Sequence, residues 1–186
     1  MLHVSKVSRK CLKAFEDGIK FFPESDQGQF IHSAEPDPEK MPHPIYVLNP
    51  EDIVSGDGFA NARLIGWRQL VDGHALEVYV NEQGEETFAG MNQGKHMDDM
   101  IHKLRVMKHH TRVKHSDFDV AVITIPALYT MALWLRARKP EEDLIIPVGP
   151  THPKLSNDPR TIFTPGEFLE LLKEDAAKRI NFAPVP

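Results

Sequence analysis

The amino-acid sequence predicts an α+β fold: an antiparallel or mixed β-sheet with helices packed mainly on one face. Three observations carry that expectation. Residues 63–91 hold three strand-like runs separated by hairpin signals. From residue 96 onward, helical segments alternate with short apolar runs. The 186 residues are 41% apolar and 26% charged, which suits a single packed core and not a disordered chain. An α/β parallel sheet is the alternative, and it lacks the glycine-rich strand-to-helix turn common in that class.

The elements follow in chain order. Residues 4–22 read as an amphipathic helix: Val4, Val7, Cys11, Ala14, Phe15 and Phe22 fall on one stripe, with Lys6, Arg9, Lys10 and Lys13 opposite. This helix needs a partner surface, either the protein's own body or a second subunit. Residues 23–44 read as a connector, because Pro36, Pro38, Pro42 and Pro44 suit neither a helix interior nor a central strand. Together, residues 1–186 read as one globular domain with this helix tethered to it. Residues 45–48 form a short strand, and Asn49-Pro50-Glu51-Asp52 a capped helical turn.

Residues 63–71, 75–80 and 86–91 are the strands of a meander. Asp72-Gly73 supplies its first hairpin, and residues 81–85 its second. Residues 96–110 form the clearest helix, with Met97, Met100, Ile101, Leu104 and Met107 on one face. Asp98 and Asp99 near its start and Lys108 and His109 near its end suit the helix dipole.

Residues 118–125 are β-branched and apolar, as in a central strand. Pro126 then reads as the first residue of a buried helix reaching about Arg138, because that segment is apolar nearly all round. The run 120–135 would span ~24 Å as a helix against a bilayer core of ~30 Å, so no transmembrane segment is expected. Residues 144–148 read as a buried strand and residues 147–159 as a proline-rich loop. Thr164-Pro165-Gly166-Glu167 is a capping box that opens a last helix through Leu169, Leu172, Ala176 and Ile180.

The net charge is −5 with the ten histidines neutral, which gives no global attraction to nucleic acid. Cys11 is the only cysteine, so an internal disulfide and a cysteine-based zinc site are both excluded. A soluble cytoplasmic protein is expected. The basic start, free of acids through Lys13, leaves a mitochondrial presequence as the lesser alternative.

His96, His102, His109, His110 and His115 are the most visible chemical feature. A metal needs ligands that converge, whereas His102 and His109 stand ~10 Å apart on a helix, so no metal is expected there. Cys11 lies in an apolar stripe, where cysteine packs as a small hydrophobe. No nucleophile elbow, phosphate-cradling loop or His-Glu-x-x-His is present, and no cofactor is expected.

Arg63, Trp67 and Arg68 share one strand, with Tyr79 on its neighbour; strand parity sets Arg63, Ile65 and Trp67 on one face and Leu64, Arg68 and Leu70 on the other. Arginine beside an aromatic ring on an open sheet face suits an anion. His74 and the loop residue His152 complete the set of candidate ligand-binding residues.

Two functions fit this pattern. The first is a non-catalytic binding or interaction protein, with a homodimer or another protein as partner. The alternative is a small-molecule enzyme acting on an anionic substrate in an Arg/His-lined pocket.

Overall fold

Phe118–Ile125 is apolar on both sides. Val120 and Val122 enter one apolar cluster, while Ala121, Ile123 and Ile125 enter another. A strand covered on both faces belongs in the middle of a sheet. The computed structural model describes residues 1–20, 42–71, 74–149, 151–158 and 160–182. It places this strand, β6, among eight described strands. The others are β1 (Leu2–Val4), β2 (His43–Val47), β3 (Arg63–Val71), β4 (His74–Val80), β5 (Glu86–Gln93), β7 (Thr130–Arg136) and β8 (Leu144–Val148).

The sheet runs β5-β4-β3-β2-β6-β7-β8, and neighbours are antiparallel except β2 and β6. β1 also pairs with β6 in parallel, with Leu2 opposite Phe118 and Val4 opposite Val120. Ile45–Val47 of β2 faces Val122–Thr124, and β7 takes the other side of β6. β1 and β2 therefore lie end to end along one side of the same strand.

Six described helices pack on this sheet: α1 (Arg9–Ile19), α2 (Pro50–Ser55), α3 (Lys95–His109), α4 (Thr111–Lys114), α5 (Pro153–Ser156) and α6 (Pro165–Phe182). The fold is thus α+β on a mixed, mostly antiparallel sheet, the class that the sequence predicts. The helices divide between the two faces instead of gathering mainly on one. Met97, Met100, Leu104 and Met107 of α3 and Val113 of α4 cover Val120, Val122 and Leu133. Ile53, Leu155, Phe168 and Leu172 from α2, α5 and α6 cover Ile123, Ala132 and Trp134 opposite. β6, β7 and β8 are apolar at nearly every position, and such strands demand cover on both faces.

The N-terminal helix docks on the protein's own body. Cys11 and Phe15 bury against Trp67, Leu76 and Val78, and Gly18 brings α1 so near Phe88 that any Cβ there would overlap the ring. The helix is shorter than the expected 4–22. Leu2–Val4 is strand, and Ser8 starts the helix by accepting the Cys11 N–H at 2.9 Å. Phe22 and most of the expected connector lie outside the described residues.

Two expectations are corrected. The segment after Pro126 is no helix: Pro126–Leu128 makes one 3-10 turn, and residues 130–136 return as β7, with Thr130 opposite Ile125. Its all-round apolarity reflects a strand buried on both faces. His43 and Pro44, expected in the connector, belong to the central strand β2. Pro44 is tolerated because pairing with β6 starts only at Ile45.

Candidate functional site

β8 is the last strand on its side of the sheet, and residues just beyond it border two clefts: Gly149 and Thr151 line one, Thr151 and His152 the other.

The first cleft, of about 630 Å³, lies toward α3. Lys95, Asp99 and Lys103 follow one another at four-residue spacing, so they share a side of α3 next to its methionine stripe. Asp99 Oδ2 accepts from Lys103 Nζ at 2.7 Å and from the Gly149 N–H at 2.7 Å. Lys103 Nζ also donates to the Pro147 carbonyl at 2.6 Å. One carboxylate and one ammonium thereby fasten α3 to the end of β8.

Across the cleft, the Arg160 guanidinium donates to both oxygens of Asp158, at 2.8 and 2.9 Å, and to Glu167 at 2.9 Å. Glu167 closes the capping box of α6 by accepting the Thr164 N–H at 2.8 Å. Arg160 pulls the Asp158 carboxyl down to about 2. Lys95 is exposed and has no ion pair among the described residues. The Thr151 hydroxyl is buried without a hydrogen-bond partner among the described residues.

The second cleft, of about 460 Å³, lies toward α6 and also borders Thr151. Tyr129, His152, Asp175, Lys178 and Arg179 line it. His152, its side chain 15% exposed, caps α5 by accepting the Lys154 N–H on Nδ1 at 3.3 Å. The ring proton then sits on Nε2, 3.7 Å from Asp175. Asp175 also pairs with Lys154 at 2.7 Å and with Lys178 at 3.4 Å, and these cations hold its carboxyl below the usual range.

The residues singled out from the sequence are dispersed. Arg63 is exposed at the start of β3. Ile45 pairs with Gly66 and Tyr46 with Leu64, so Ile65 is the extra residue of a bulge. That bulge breaks the expected parity: Ile65 packs in the α3 cluster with Leu70, away from Trp67. Trp67 is buried under α1, its Nε1 without a hydrogen-bond partner among the described residues. Arg68 is buried on the opposite face. Its Nε donates to Glu77 at 2.7 Å and a second nitrogen to the Met131 sulfur at 3.0 Å. His74 is half-buried at the start of β4. Of the set, only His152 lines either cleft.

The arginine–aromatic arrangement occurs elsewhere. Arg136 stacks 4.9 Å from the Trp134 ring and 5.3 Å from Tyr46, and it donates to the Tyr46 hydroxyl at 3.0 Å. The signal was Trp134 and Arg136 two residues apart, which share a face only when the segment is read as a strand.

Burial, helped by the Glu86 charge, pushes the Cys11 thiol up to about 12, so it is no nucleophile at neutral pH. His102, His109 and His115 are exposed, and no three metal-ligating side chains cluster among the described residues. No described helix is long and apolar enough to cross a membrane. Comparison of the chain with family models, with curated proteins and with solved structures finds no match.

Proposed function

We propose that the protein is a non-catalytic binding protein whose first cleft takes a small anionic ligand. One observation carries this reading: Lys95, Lys103 and Arg160 converge on one cleft against two carboxylates, Asp99 and Asp158. Glu167, paired with Arg160 at 2.9 Å, brings the local charges into balance, so Lys95 is the cation of the cleft that lacks a carboxylate partner among the described residues. Lys103 and Arg160 are held in place by their own hydrogen bonds, so a ligand would find donors already positioned. The Thr151 hydroxyl, without a hydrogen-bond partner among the described residues, adds a further donor.

Calorimetric titration with inorganic phosphate and with citrate, paired with amide shifts in NMR, tests the reading. Shifts are expected at Lys95, Gly149 and Thr151, weaker at high salt. Lys95→Gln, at an exposed position without an ion pair among the described residues, should weaken binding about tenfold. Absence of heat and of shifts at these amides with both anions would overturn it.

The enzyme reading draws on the second cleft, where His152, Asp175 and Arg179 meet. In this geometry Nδ1 accepts a backbone N–H and Nε2 faces Asp175, which makes the imidazole a helix cap with no free lone pair for proton abstraction. The binding reading is therefore preferred.

A further inference from the structure

Tyr129 is a poor choice for its place in the fold. It follows the 3-10 turn between β6 and β7 in the left-handed region, at φ 48° and ψ 40°, where glycine or asparagine is least strained. Its side chain is 80% exposed, so burial does not offset the strain. The ring stands at the rim of the second cleft. The Arg179 guanidinium lies over one face of the ring, 6.0 Å from its centroid, and has no carboxylate partner among the described residues. Lys178 is beside it, paired with Glu174 at 2.6 Å and with Asp175 at 3.4 Å, and Lys154 shares both of these carboxylates, which leaves Arg179 as the cation of the cleft without a carboxylate partner among the described residues. With Arg179 over one face, the exposed ring keeps its other face open, and an open aromatic face beside a guanidinium is a pattern that stacks a planar ring and holds an anion attached to it.

We propose that the second cleft binds an aromatic ring joined to a phosphate, the ring stacked on Tyr129 and the phosphate met by Arg179 and Lys178. This site is distinct from the anion cleft under α3, and among the described residues the two share only Thr151.

The test uses the full chain with AMP, adenosine and inorganic phosphate, followed by calorimetry and by amide shifts. AMP should bind about tenfold or more tighter than adenosine or phosphate, with shifts at Tyr129, His152 and Arg179. Tyr129→Gly, which relieves the left-handed strain and so should fold, is expected to weaken AMP about tenfold while leaving phosphate binding unchanged. Arg179→Gln should bring AMP down to the level of adenosine. The proposal is overturned if AMP binds no tighter than phosphate, or if the folded Tyr129→Gly protein binds AMP as before. It is also overturned if AMP shifts Lys95 and Gly149 but not Tyr129 and Arg179; that pattern would place the ligand in the first cleft and leave the anion reading standing.

Discussion

At Asp143, one carboxylate ties β7 to the turn before β8. Its Oδ2 accepts the Trp134 indole N–H at 2.7 Å and its Oδ1 accepts the Ala137 N–H at 2.7 Å. Burial raises its pKa above the usual range, while the two donors and the Arg136 charge pull the other way. Asp143→Ala would leave two donors without an acceptor and should cost about 1–3 kcal/mol, read from urea unfolding at pH 7. The pH dependence has a definite sign. Because its folded pKa is raised, the stability linked to Asp143 is present below the ordinary carboxyl range and is lost as pH rises through the folded value. Asp158 behaves oppositely. Arg160 lowers its pKa to about 2, so its contribution is present above the ordinary range and lost as pH falls toward that value. Asp143→Ala should therefore lose more stability at acid pH than at pH 7, and a constant loss from pH 7 to pH 3 would refute this assignment.

Among the elements, β7 tests how far the two-sided core governs stability. Leu133 is fully buried, opposite Val122 on one side and Ile146 on the other. Leu133→Ala should cost about 2–5 kcal/mol in chemical denaturation; a cost near zero would mean that the site collapses around the deletion. β7 is also where the sequence misleads. An apolar run without alternation fits a buried helix and a doubly covered strand equally, and Pro126 is as good at the start of a hairpin turn as at a helix start. The meander, α3, β6 and the capping box of α6 were legible because each has a period or a local hydrogen-bond signature of its own. The clefts were legible only in part. Lys95, Asp99 and Lys103 show their common side through helical spacing, but nothing local says that Pro147 and Gly149 will meet them. The expected grouping around Trp67 failed at Ile65, where one extra residue reverses strand parity, an event set by pairing with β2.

For the molecule as a whole, the strand that matters most is β6, because its one side is shared by two segments far apart in the chain. Leu2 must find Phe118, and Ile45 must find Val122, whereas Ile125 meets Thr130 across a short turn. This fixes an order in time. The β6–β7 hairpin closes a small loop and can form first; β1 closes a loop of more than a hundred residues and gains its hydrogen bonds only once β6 exists. Pulse-labelled hydrogen exchange during refolding should therefore protect the amides of Val122–Ile125 before those that join Leu2–Val4 to β6, and simultaneous protection would refute that order. On a ribosome that adds about 5–20 residues per second, the first strand would wait roughly 6–24 s for its partner to be made. During that interval Leu2–Val4 is an unpaired edge in search of a strand, and any competing pairing it finds must be undone before the sheet can close.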